Sequence, residues 1–347
     1  MFRFSYLCIL SFFLLSCSEN KIQKKNDGNE IKSEIQIISE KIENEPNNLD
    51  LRLERVNYYK NRKQYDAALF NIKECLRIDS LNPTVNYIAS ELYFQISKSN
   101  HNKVNFPNLA LFYSDKAINL NNQFASAYLI KGEILLALGE YKESISILNS
   151  ALEIDFNLEK AHLLMGYCFK KLNDEKNAIN CFNNSIIVNP EFLRGYEELG
   201  VLYHHKKDTL AITYYNNALK IDSLRINILY NKALFYHNVS KSYNLALEAY
   251  AKLHEVDPFH ANAHYNLGHI HMELDLFDVA VNNFSDAIYS NSEFYQSYYS
   301  RGVCFEAIGN ILQAETDYSR AIEINPNYSF AIDALKKLKE QNNKFKK

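Results

Sequence analysis

The chain has 347 residues, 47% of them hydrophobic and 13% aromatic, which excludes a disordered protein and supplies material for a packed core. With 38 basic and 41 acidic residues the net charge is −3, so no global attraction to nucleic acid is expected. Nine glycines and six prolines are few for this length, which argues for helices joined by short connections rather than many strands.

In chain order the first feature is MFRFSYLCILSFFLLSC, where Arg3 precedes an apolar or small run from Phe4 to Ser16. The run is short for a permanent membrane span and reads as a secretory signal over residues 1–16. Its end, Leu14 to Cys17, resembles the lipobox of bacterial lipoproteins. That resemblance implies cleavage before Cys17, a diacylglycerol on its sulfur and acylation of its amine. Two or more acyl chains hold a protein stably on a bilayer, where one is marginal. An ordinary signal peptide, or a signal anchor with a chance cysteine, is the alternative. Ser18, in place of aspartate, implies the outer rather than the inner membrane of a bacterial cell envelope. Residues 17–28 read as a polar tether with a reach of roughly 20 Å. Cys75, Cys168, Cys181 and Cys304 show no motif-like spacing and are expected to be small buried residues.

Residues 29–48, ending around Pro46, read as a lone capping helix ahead of a repeat. From Leu49 onward small residues recur at Val56, Ser90, Gly132, Gly166, Gly200, Ala233, Gly268 and Gly302, with spacings of 34, 42, 34, 34, 33, 35 and 34. A second small set follows twelve residues later, as at Ala68, Ser144, Ala178, Ala280 and Ala314, and a third seven further on. Glycine disfavours a helix interior, so the glycines of the first set imply close approach by a second helix.

A 34-residue period with two amphipathic helices per unit resembles the tetratricopeptide repeat. The motif is carried by Leu267, Gly268, Ala280, Phe284 and Ala287 in one unit. The next carries it on Tyr298, Gly302, Phe305, Ala314, Tyr318, Ala321 and Pro326. The resemblance covers residues 49–328 and implies an all-α fold. The expected architecture is a right-handed α-solenoid of about eight helix-turn-helix units with N- and C-terminal capping helices, the latter at residues 329–347 with a basic tail. Counting positions so that the first small set is position 8, four departures stand out. The second unit carries eight extra residues between its helices, predicting a longer loop or extended helix ends. The fifth is one residue short and the sixth one long, both expected in the turn. The first has Arg52 and Arg55 where large apolar residues belong, which predicts a partly covered helix.

The stretch HANAHYNLGHIHMELD places His260, His264, His269 and His271 close together and suggests zinc at first sight. The repeat phase divides them. His264 and His271 fall on core positions 4 and 11, His260 in the inter-repeat turn, and His269 at position 9 on another face. No metal site is therefore expected. No glycine-rich phosphate loop, nucleophile elbow or paired cysteine motif is present either, so no enzyme activity and no cofactor are expected.

The resemblance implies that positions 2, 5, 9 and 12 line a concave groove where such repeats take ligands. The candidate partner-binding residues are Tyr87, Tyr230, Asn227, Asn231, Asn262, Tyr265, Asn266, His269, Gln296 and Tyr299. Side-chain amides donate and accept together, and tyrosine offers a flat face with a polar tip, a combination suited to an extended peptide. The expected function is an envelope-anchored scaffold binding other envelope or periplasmic proteins, attached to the membrane through lipidated Cys17, with no nucleic-acid partner. The alternative is a solenoid binding carbohydrate or a small molecule, or an accessory subunit of an envelope enzyme.

Overall fold

A computed structural model describes residues 32–99 and 105–345. The signal segment, Cys17, the tether, part of the insertion in the second repeat and the last two lysines lie outside the described residues. Among those described there are eighteen α-helices, one π-helical segment and no strand. The all-α expectation is met. The chain divides into two units, one ending at Asn71 and one beginning at Ile72.

The first unit contains α1 (Glu34–Asn44), α2 (Leu49–Asn61) and the start of α3 (Tyr65–Ile78). Asn48 caps α2, its side-chain oxygen accepting from the Leu51 amide at 3.2 Å. The two arginines that interrupt the apolar pattern of α2 both have acceptors. Arg52 donates from Nε to the Pro46 carbonyl at 2.7 Å, and Arg55 from Nε to Asn71 Oδ1 at 2.7 Å.

In the second unit helices alternate in pairs. These are α4 (Pro83–Ser99) with α5 (Phe106–Leu120), α6 (Ala125–Leu138) with α7 (Tyr141–Ile154), and α8 (Glu159–Lys171) with α9 (Glu175–Val188). They continue as α10 (Leu193–His205) with α11 (Leu210–Ile221), α12 (Ile226–Leu234) with α13 (Tyr243–Val256), and α14 (Ala261–Glu273) with α15 (Phe277–Ser290). Finally α16 (Tyr295–Ala307) pairs with α17 (Ile311–Ile324), and α18 (Ser329–Phe345) follows. The insertion in the second repeat lengthens α4 to 17 residues against 13 in α8, as an extended helix end.

The sixth repeat corrects the sequence reading. Its extra residue does not sit in the turn but inside the first helix, where Phe235–Val239 wind as a π-helical segment at the end of α12. Ser240 N reaches back five residues to the Phe235 carbonyl at 3.1 Å, which absorbs one residue while the turn keeps its length.

Close approach explains the glycines. A Cβ on Gly268 would lie 2.5 Å from Cε1 of Phe284, a fully buried ring of the partner helix α15. The same pairing recurs between Gly132 and Leu148, Gly200 and Tyr215, and Gly302 and Tyr318. The four cysteines are buried and free, as expected. Burial pushes the Cys181 thiol up to about 11 and Cys304 to about 12, so neither is a nucleophile at neutral pH.

Position 7, just before each glycine, holds a cation in several repeats where leucine would belong. In the third repeat Lys131 meets Asp115 of the preceding helix at 2.8 Å. In the eighth, Arg301 grips Asp317 through Nε and Nη2, both at 2.8 Å, and donates from Nη1 to Ser285 Oγ at 2.9 Å.

Candidate partner-binding site

The histidine-rich stretch has a separate explanation for each ring. His260 caps α14, its Nδ1 accepting from the Ala263 amide at 3.1 Å. His264 is buried, and its Nε2 donates to the Pro258 carbonyl, six residues earlier, at 2.9 Å. The same bond is made at position 4 by His162 to Phe156, Asn86 to Ser80 and Tyr128 to Asn122. Position 4 is thus a donor position that ties the first helix to the turn before it, and not simply a place for a large ring. His271, only partly buried, directs Nδ1 to the Leu267 carbonyl at 2.9 Å. Among the described residues no group of three or more metal-ligating side chains converges.

The candidate residues at position 5 share a task that the sequence pattern does not announce. Each tyrosine packs on an aromatic residue at the entrance to the next repeat's first helix or, for Tyr299, to α18. Tyr87 meets Phe124 at 5.2 Å, Tyr230 meets His260 at 4.9 Å, Tyr265 meets Phe294 at 4.9 Å and Tyr299 meets Tyr328 at 5.4 Å between ring centroids. Leu163 and Phe192 share an apolar cluster at the same place in the fourth repeat, as do Leu129 and Leu158 in the third. In the fifth repeat the contact is ionic, with Arg225 Nε 2.6 Å from Glu197 Oε1. These side chains staple successive repeats together, and all but the buried Leu163 remain partly exposed. A pairing between position 5 and a residue 28 to 30 later, or 37 later across the insertion of the second repeat, was the available signal, because both places are large or charged in every one of these repeats.

Beside the staples, Asn227, Tyr230 and Asn231 line one recess of about 330 Å³ with Arg194, Glu197 and Glu198. Its charges are interlocked. Arg194 donates to the Tyr167 hydroxyl at 2.8 Å, Tyr167 donates to Glu198 at 3.1 Å, and Lys170 meets Glu198 at 3.0 Å. Burial, opposed by Arg194, pushes the Tyr167 phenol up to about 12, so it stays neutral and keeps donating. Tyr87 lies apart, in a smaller recess of about 130 Å³ where Lys98 and Lys160 both hold Glu133.

Farther along, the Asn266 amide donates to the Tyr230 hydroxyl at 3.1 Å, so one of its donors is already committed within the protein. The His269 ring stands edge-on to Tyr265 at 4.5 Å, with Ser300 Oγ 3.5 Å from its Nε2. Asn227, Asn231, Asn262 and Gln296 have no side-chain hydrogen bond among the described residues. Asn227, Asn262 and Gln296 occupy position 2 of three successive repeats.

Several histidines respond to burial in one direction. Desolvation holds His162, His204, His237 and His269 below the ordinary value of 6.5; Glu273 opposes this at His237, and Lys241 adds to it. Below 6.5 the unfolded chain therefore binds more protons than the native one, so their contribution to stability is complete above 6.5 and is lost as pH falls below it. Glu133 and Glu273 lie below the ordinary 4.5, each held down by neighbouring cations or donors against burial, and theirs is lost only below that pH. The melting temperature is expected to fall in two stages on acidification, the first setting in near pH 6.5. A flat profile from neutrality down to 4.5 would contradict the histidine assignment.

Two family models, both described as tetratricopeptide repeat, match the chain, one over residues 295–328 and the other over 125–158, 159–192 and 261–294. The chain carries tetratricopeptide repeats. The matched segments coincide with repeats three, four, seven and eight in the phase read from the small residues. A TPR repeat-containing protein of Methanocaldococcus jannaschii is 24% identical over 235 residues, covering 65% of this chain and 41% of the relative. Anaphase-promoting complex subunit 3 of Schizosaccharomyces pombe is 23% identical over 225 residues, covering 62% of this chain and 33% of the relative. The chain spans less than half the length of these curated relatives. Among solved structures, the C-terminal part of a TPR repeat-containing protein from Cytophaga hutchinsonii aligns with a TM-score of 0.59 at 15% identity. That alignment covers 67% of this chain and 96% of that one. The likeness is one of fold, a tetratricopeptide-repeat solenoid, an architecture typical of protein–protein interaction scaffolds.

Proposed function

We propose that this chain is an envelope-anchored scaffold, held to the membrane through Cys17, that takes an extended segment of a partner protein along the first helices of repeats six to eight. The observation that carries this reading is the row of amides at Asn227, Asn262 and Gln296. They share one position in consecutive repeats and have no hydrogen-bond partner among the described residues. Each can donate to a peptide carbonyl and accept from a peptide amide, and the repeat period spaces them along a strand-like ligand. The tyrosines beside them are held by their staples, so little side-chain freedom is lost on binding.

The partner is to be recovered by pull-down from envelope extracts, set against a glycan panel. Changing Asn227, Asn262 and Gln296 together to Ala removes about three net hydrogen bonds of about 1 kcal/mol each. Partner affinity is therefore expected to drop roughly a hundredfold with melting unchanged. Undiminished affinity in the folded triple variant rejects the site, and capture of glycan in place of protein rejects the partner class. Anchoring is tested independently, because Cys17→Ala is expected to abolish incorporation of labelled palmitate.

A further inference from the structure

Four repeats place a cation at position 7, and three of those cations have a partner supplied by a second helix. Arg55 has Asn71, Lys131 has Asp115, and Arg301 has Asp317. The fourth, Lys232 on α12, has no hydrogen bond or ion pair among the described residues. The π-helical segment gives the physical reason. In the eighth repeat the carboxylate stands sixteen residues after the arginine. In the sixth, the extra residue moves the equivalent place to Ala249, and Glu248 beside it turns to Lys252 at 3.2 Å. Sixteen residues earlier, where Asp115 stands for Lys131, there is Asn216.

A cavity of about 560 Å³ opens at this point between α11, α12 and α13. Lys220, Lys232 and Lys252 line it against the single carboxylate of Glu248, and Leu219 and Leu229 give it an apolar wall. Its volume lies within the range that small-molecule sites occupy, roughly 300–1,000 Å³. Lys232 is half-buried with the Tyr236 ring 6.0 Å from its ammonium, and burial followed by the nearby Lys252 depresses its pKa against the opposing field of Glu248, so its charge is held at a cost that an anion would offset.

We propose that this cavity binds a small organic carboxylate with an apolar body, its carboxylate standing at Lys232 where Asp115 stands at Lys131 and Asp317 at Arg301. The leucine wall takes the hydrocarbon, and Lys220 and Lys252 supply the field around the head group. This site is separate from the amide row and does not depend on it.

Decanoate is the probe, titrated calorimetrically into the full chain with decanol as the uncharged control. One saturable site is expected for decanoate, with decanol at least tenfold weaker. Lys232→Met should weaken decanoate at least tenfold while leaving the melting temperature equal or higher, because methionine fits position 7 as Met165 does in the fourth repeat. Ala249→Asp should restore an internal partner for Lys232 and displace decanoate in a protein that still melts cooperatively. Failure of decanoate to saturate, equal binding of decanol, or unchanged decanoate affinity in folded Lys232→Met overturns the proposal.

Discussion

Replacing Asp317 by alanine is expected to cost about 3 kcal/mol of stability, toward the lower end of the range for breaking a buried ion pair. Asp317 is only 4% exposed, and both of its oxygens are engaged by Arg301. Without the carboxylate, the guanidinium keeps only Ser285 as an acceptor among the described residues, in a site where its side chain is 20% exposed. That partial exposure sets the lower end. Changing Arg301 and Asp317 together to leucine should recover most of the loss, because Leu199 and Leu267 fill position 7 in other repeats without any partner. Denaturant titration of the single and double variants forms the cycle. A single variant within about 0.5 kcal/mol of the parent would mean that the pair contributes nothing beyond packing.

Gly268→Ala is expected to destabilise by about 1–3 kcal/mol, against the usual gain of up to about 1 kcal/mol when alanine replaces glycine in a helix. The added methyl meets three ring atoms of Phe284 at 2.5 to 2.7 Å, and that ring is fully buried between Tyr265 and His269. With the ring fully buried, either it displaces its own neighbours or the two helices move apart. Phe284→Ala alone should cost about 3–5 kcal/mol through the cavity it leaves. Phe284→Ala combined with Gly268→Ala should be more stable than the sum of its parts, since the ring that the added methyl meets is then gone. Additive losses would show that the methyl and the ring do not compete for the same space.

How much of this was legible in the sequence depends on the length scale of each interaction. The phase of the small residues placed every helix pair, because close helix packing recurs at the same position in each repeat and tolerates few residue types. It also put His260 in the turn and His264 in the core, although His271, expected in the core as well, is only partly buried. Three things escaped it. Lys131 and Arg301 look like errors in the pattern until Asp115 and Asp317 are seen sixteen residues away on neighbouring helices. The extra residue of the sixth repeat is countable in sequence, yet a turn and a π-helical segment absorb one residue equally well on paper. The tyrosines at position 5 carry the character of a ligand surface, and only the folded chain reveals that each also holds the entrance of the helix that begins the next unit. Asn266 shows the same double service, as a groove amide whose donor is taken by Tyr230.

The staple at Glu197 and Arg225 gives the joint between repeats five and six a different temperament from its neighbours. In a stacked array, elements hold mainly to those beside them, so the weakest joint decides where the molecule comes apart. The other staples of the second unit are aromatic or aliphatic and indifferent to ionic strength. This one is a partly exposed ion pair, screened progressively as salt rises. It also adjoins the helix broken by the π-helical segment. Salt thus acts on this staple as it does on the ion pairs that Lys98 and Lys160 make with Glu133 and Lys170 with Glu198, so that the surrounding medium tunes the joints from repeat two to repeat six while the aromatic ones beyond keep their grip.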